Sequence, residues 1–406
     1  KKKSKNETQK RNNNKKHICM KFGLLPRIFV AMAAGVGAGY VLPEAVGRVF
    51  ATFNGVFSSF LGFIIPLLIV GFVAPAITDI GRRAGKMLLF TVVLAYVATF
   101  CAGMFSYGVS TWLFPSMIEP MEYVRDATGS AGLKPYFTMA IEPVMTVMTA
   151  LVLAFVLGLT VSTMGADSVL RRGLGESRQV IDMTIRKVVI PLLPLYIFGI
   201  FMDMTVSGQV GGILMTFVKI IAVIFAMHVV LLVAQYCIAS LFSGKNPFRS
   251  LWTMMPAYFT ALGTQSSAAT IPVTLRQTVK MGVDEDVAAF TVPLCATIHM
   301  SGSTLKIVAC ALALMMAMGH HYDIGMFAGF IAMLGVSIVA APGVPGGSIM
   351  ASLGILSSML GFTDADNALM IALYIAMDSF GTACNVTGDG ALAQIVNRFF
   401  GKKAVA

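Results

Sequence analysis

The sequence predicts an all-α polytopic membrane protein with eight transmembrane helices and two re-entrant helical hairpins. Three observations carry that prediction. Apolar residues make up 57% of the 406 and charged residues only 12%, with a mean hydropathy of +0.80. A soluble fold carries about 25% charge, and a chain this apolar exposes more greasy surface than water tolerates. Apolar stretches long enough to cross a bilayer recur along the first half, and in the second half they recur but are broken by small, hydroxyl and Pro/Gly clusters.

The elements follow in order. Residues 1–21 are Asn/Lys-rich and hold nine of the 30 basic side chains. They read as a disordered basic tail, too polar for a cleavable signal peptide. Apolar stretches then run Phe22–Leu42, Val46–Ile77, Met87–Leu113, Met139–Val161, Val188–Met204 and Gly211–Leu241. Crossing takes about 20 apolar residues, so these give six helices. Arg82, Arg83, Lys86, the Arg171–Lys187 cluster, Lys245 and Arg249 fall on the same side as the tail. Glu44, the Glu119–Asp126 loop and Asp203 fall on the other. Basic residues mark the cytoplasmic face, which makes this a multi-pass cell-membrane protein with a cytoplasmic N-terminus. The formal charge of +11 is thereby explained by lipid rather than by a nucleic acid partner. The six cysteines show no metal or disulfide spacing and read as small hydrophobes.

From Asn246 onward the pattern changes. Breaks fall at Thr264–Pro272, Ile298–Ser303, Ala341–Ser348 and Asp378–Asp389. Non-helical backbone at membrane depth survives only where protein buries it or a cavity needs it. Phe248–Val279 and Met326–Leu360 read as hairpins, Val287–Met318 and Ala368–Val396 as broken helices. Hairpin, broken helix, hairpin, broken helix is the inverted-repeat order of a secondary transporter, whose site lies between the halves at mid-bilayer. Lys306, Asp378, Asp389 and the titratable His299 lie at that depth, where a charge costs about 2.5–3.5 kcal/mol. Asp378 and Asp389 are three turns apart on one face if the last helix stays regular. Asn385-Val386-Thr387-Gly388 between them is a candidate point of unwinding that frees carbonyls, and carboxylate plus carbonyl oxygens suit a hard cation such as Na⁺. A pore lines its path with repeated rings of like groups, which is not the pattern here. No nucleophile elbow or HExxH spacing supports an enzyme.

The Thr264–Pro272 stretch, His299–Thr304, the Gly343–Gly346 turn and Asn385-Val386-Thr387-Gly388-Asp389 resemble the glutamate-transporter family of dicarboxylate/amino acid:cation symporters, in order and spacing from about Phe22 to Phe400. The resemblance implies an elevator-type homotrimer that needs no cofactor. Scaffold helices would come from residues 22–78 and 116–206. Helix 3 (79–115) and residues 207–406 would form the moving transport domain, gated by the second hairpin. Ser266 and Ser267 would then hold a substrate carboxylate, Asp378 the amino group, and Thr382 and Asn385 the rest of the cradle, with Val344, Pro345 and Gly346 closing over it. Asp389 and the Asn385 carbonyl would ligate Na⁺, helped by oxygens near Thr297, His299, Met300 and Ser348.

Departures from the family pattern set the specificity. Gly381 stands where acidic-substrate members place an arginine, so a neutral amino acid is favoured over a dicarboxylate or acidic amino acid. His299-Met300-Ser301-Gly302-Ser303 replaces Asn-Met-Asp-Gly-Thr, and Leu94 and Ala95 stand where the third helix carries hydroxyls, so one sodium site is expected to be absent. Three readings of Lys306 stay open: a harmless pairing, a tethered cation replacing the lost sodium, or the positive charge that Gly381 lacks. His299 is either a packing residue or a proton carrier that would make H⁺ the coupling ion.

Overall fold

The structure is a computed structural model and describes residues 24–82, 86–118, 133–165, 167–208, 210–339 and 346–401. The basic tail, the Glu119–Asp126 loop, Val344 and Pro345 lie outside the described residues. Among those described there is no strand. The helices are α1 (Leu24–Val41), α2 (Glu44–Arg82), α3 (Lys86–Leu113), α4 (Val147–Ser162), α5 (Val169–Thr184), α6 (Ile190–Val206) and α7 (Val210–Ser243). They continue as α8 (Pro247–Thr264), α9 (Ser267–Lys280), α10 (Glu285–Ile298), α11 (Ser301–Ala317), α12 (Ile324–Val339), α13 (Gly347–Leu360), α14 (Asp364–Ala376) and α15 (Asp378–Phe400).

Six of these units are long and apolar enough to cross a membrane: α2, α3, α5 with α6, α7, α10 with α11, and the bent pair α14–α15. The expected first span is shorter, with 18 helical residues, and the fourth spans 16. Helix α4 starts at Val147 rather than near Met139. Thr146 caps it by accepting from the Thr149 N–H at 3.2 Å, and Pro143 just upstream disfavours helix in the residue before it. The Arg171–Lys187 cluster is not a loop. It lies on α5 and on a π-turn, Ile185–Val189, that runs into α6.

Close packing joins α2 to α4, α5 and α6, and α1 to α6, while α3 packs on α11 and α15 packs on α7, α8, α10 and α11. Glycines permit the tightest of these approaches: a Cβ on Gly35 would collide with the Phe198 carbonyl oxygen. The second half has the expected order of two helix pairs, each followed by a broken helix. One break is misplaced in the sequence reading. The last helix does not unwind at Asn385–Gly388, which is regular α15. The chain turns instead at Met377, where α14 and α15 meet at 62°. A helix through Asn385–Gly388 keeps its carbonyls in its own hydrogen bonds, so none is freed there.

Candidate functional site

Regularity of α15 sets the geometry of the site. Asp378, Thr382, Asn385 and Asp389 follow one another at four, three and four residues, so all four lie within one narrow stripe. All are buried. That stripe faces the break between α10 and α11, formed by His299 and Met300. Each of two basic side chains from this break region meets one carboxylate of α15.

The first pair is Lys306 and Asp378. The Lys306 ammonium is fully buried and donates to Asp378 Oδ1 at 3.0 Å, with the Met377 carbonyl at 3.4 Å. It also sits 3.4 Å from the centroid of the Tyr374 ring, a cation–π geometry. Gly381 makes this possible. A Cβ there would lie 2.8 Å from Lys306 Nζ and 2.9 Å from its Cε, so the end of the lysine runs through a notch where α15 has no side chain. Asp378 Oδ2 accepts from the Gly346 N–H at 2.7 Å. Gly346, at φ +77°, begins α13 in a left-handed conformation that favours glycine. Ser348 is buried on the first turn of α13, two residues after Gly346.

The second pair is His299 and Asp389, with Nδ1 and Oδ1 2.9 Å apart and both side chains buried. With the Nδ1 proton directed at the carboxylate, Nε2 accepts from the Ser301 hydroxyl at 2.6 Å. Gln235 Nε2 is 3.4 Å from the same nitrogen. Here too a glycine opens the space: a Cβ on Gly388 would meet Gln235 Oε1 at 2.6 Å and His299 Cε1 at 2.7 Å. The two notches, seven residues apart, lie on the same face as the carboxylates.

Between the pairs, Asn385 acts as a helix cap supplied by another helix. Met300, at the N-cap of α11, makes no side-chain cap of its own. Asn385 Oδ1 instead accepts from the Gly302 N–H at 2.7 Å and the Ser303 N–H at 3.3 Å, and its Nδ2 donates to Ser303 Oγ at 3.1 Å. Orphan amides at a helix start need such acceptors. Met300 is held on both sides, its N–H donating to Thr99 Oγ1 at 3.2 Å and its sulfur accepting from Asn385 Nδ2 at 3.5 Å.

The tip of the α8–α9 pair reaches the same helix start. Gln265 adopts a left-handed conformation (φ 53°) and donates from Nε2 to Ser379 Oγ at 2.8 Å. This places Ser266 and Ser267, both half-buried, beside the first turn of α15. Ser266 also caps α9, accepting from the Ala269 N–H at 3.3 Å. Thr297 is the expected site residue that stands apart. It is exposed, and its hydroxyl donates to the Leu294 carbonyl one turn back on α10.

Several participants were missed in the sequence. Thr99 belongs to a buried run of small and hydroxyl residues on α3 (Thr91, Ala95, Thr99, Gly103, Ser106, Ser110), whose helical spacing of three or four residues was a readable signal. Ala95 packs against Cys295, Ile298 and Leu392, so the hydroxyl that α3 gives the break comes one turn later. His228 and Gln235, seven apart in the apolar middle of α7, were another signal. His228 Nε2 donates to the Gly302 carbonyl at 3.0 Å, and Tyr236 donates to the Thr387 carbonyl at 2.7 Å.

Comparison with known proteins adds the following. The pattern of the sodium:dicarboxylate symporter family matches residues 24–399. The serine/threonine transporter SstT of Streptococcus suis (strain 05ZYH33) is 28% identical over 343 residues, covering 82% of this chain and 94% of that protein.

Proposed function

The chain belongs to the sodium:dicarboxylate symporter family, a multi-pass cation-coupled symporter, and on that premise we propose that it imports a small neutral amino acid together with Na⁺. The observation that carries this reading is the Lys306–Asp378 pair at 3.0 Å. The cradle has one carboxylate suited to a substrate ammonium, and the cation nearest to it is already committed to that carboxylate. No arginine stands at Gly381 to hold a second substrate carboxylate bidentately. That a relative is a serine/threonine transporter supports the same choice. In this reading Asp378 binds the amino group, and Ser266, Ser267 and Thr382 bind the carboxylate and side chain. Gly346, whose N–H holds Asp378 Oδ2, closes over them. Asp389 carries the coupling ion, with the α10–α11 break around His299 and Met300. Exposure of Thr297 and the helical bonding of Asn385 leave those two without a direct share in ion binding here. We further propose the elevator arrangement of a homotrimer, with α1, α2, α4 and α6 as scaffold and the N-terminus in the cytoplasm.

A second reading rests on the Gly381 notch. Lys306 occupies space beside the position where an arginine is absent, so it could meet the distal carboxylate of an acidic substrate. Proteoliposome uptake decides between them, using serine, threonine, alanine, aspartate and succinate with Na⁺ and pH gradients applied separately. The neutral reading expects saturable, Na⁺-driven uptake of serine, threonine or alanine. Preference for aspartate or succinate, lost in Lys306→Ala, establishes the second reading. Uptake that follows the pH gradient and ignores Na⁺ overturns the coupling ion.

A further inference from the structure

A carboxylate that binds the substrate's ammonium becomes a liability once the substrate has left. Asp378 is buried, and an uncompensated charge in a low-dielectric interior is strongly destabilised. A carrier that returns unloaded must move this group across the bilayer without the partner it had on the loaded stroke. The structure shows a partner that belongs to the chain itself. The Lys306 ammonium lies on Asp378 Oδ1, supported by the Met377 carbonyl and the Tyr374 ring face. Oδ2 of the same carboxylate is taken by the Gly346 N–H. The pocket is thus electrically neutral and joined to the α12–α13 arm using chain groups only.

Resting on the amino acid symporter reading above, we propose that Lys306 is a tethered substitute for the substrate's ammonium. It neutralises Asp378 whenever the pocket crosses the bilayer unloaded, and it yields the carboxylate when substrate arrives. Two features suit it to that exchange. Lysine carries a point charge on a flexible stem, so it can leave one acceptor without losing a fixed fork of bonds. The Gly381 notch lets its last carbons lie directly against α15, where any side chain would block them. Substrate and lysine then compete for one oxygen, Oδ1, while Oδ2 keeps its bond to Gly346.

The test separates the two strokes. Full-length protein in proteoliposomes is assayed for exchange, with unlabelled substrate inside and labelled substrate outside, and for net uptake into vesicles without internal substrate. The substrate is whichever amino acid the wild-type protein transports best. In Lys306→Met, exchange persists because substrate accompanies Asp378 both ways. Net uptake falls about a hundredfold relative to exchange, the scale set by leaving one member of a buried pair unpartnered. Equal loss of both modes, with substrate binding retained as thermal stabilisation, makes Lys306 part of some other step and overturns the proposal. Unchanged net uptake overturns it as well. Should Lys306→Met not fold, Lys306→Gln keeps a donor for Oδ1 without the charge and gives the same split or refutes it. Failure of the neutral amino acid reading appears in the wild-type substrate profile, and failure of this proposal appears only in the variant's ratio.

Discussion

Asn385→Ala tests the cross-helix cap. In the wild-type protein Asn385 Oδ1 accepts from the Gly302 N–H at 2.7 Å and the Ser303 N–H at 3.3 Å, in a region where both residues are buried. Alanine removes the acceptor and leaves both amides at the start of α11. An unsatisfied buried donor costs about 1–3 kcal/mol. The first bond is short and counts in full. The second lies beyond the usual range of about 2.7–3.2 Å and counts for about half, giving about 2–4 kcal/mol together. At about 2 °C per kcal/mol for a long chain, the melting midpoint in detergent falls by roughly 4–8 °C. Hydrogen exchange locates the effect: the Gly302 and Ser303 amides lose protection while the α15 amides keep theirs. A variant with the wild-type midpoint and unchanged exchange at those two residues refutes the cap and leaves the break in α10–α11 without its explanation.

Two further substitutions probe glycines of the site. In Gly388→Ala the new methyl meets His299 and Gln235 below 3 Å, which pushes the imidazole off Asp389. Overpacking of this kind costs about 1–3 kcal/mol, and the cation concentration for half-maximal uptake rises about tenfold. An unchanged cation dependence removes Asp389 from ion coupling. Gly346→Ala leaves room for the methyl, whose nearest neighbour is Ile375 at 3.7 Å, but the residue sits at φ +77°. The expected outcome is a loss of about 1–2 kcal/mol in stability from backbone strain alone, with weaker substrate binding. Equal stability and binding show that α13 can start without its left-handed residue.

Much of the architecture was legible because lipid leaves few choices. Length and hydropathy identified the spans at α2, α3, α6 and α7, and clusters of small and hydroxyl residues identified the two helix pairs and both broken helices. The stripe at Asp378, Thr382, Asn385 and Asp389 was readable from helical period. The bend at Met377 was signalled only by Asp378, a residue type suited to a helix start, and its 62° angle was not readable from local sequence. Gly388 misled in the opposite sense. A glycine in a helix can mark flexible backbone or room for a neighbour's side chain, and here it makes room for His299. The partner of Lys306 stayed open among three readings because residues 72 apart in sequence are joined only by the tertiary fold. Thr99, His228 and Gln235 carried periodic signals faint enough to pass for ordinary packing.

The first turn of α15 holds both hairpin tips on consecutive residues, Gly346 through Asp378 and Gln265 through Ser379. Consecutive residues of a helix project about 100° apart, so the two tips hang from different flanks of one turn. Both attachments therefore depend on the placement of one turn, and a substitution that displaces it disturbs the two tips together.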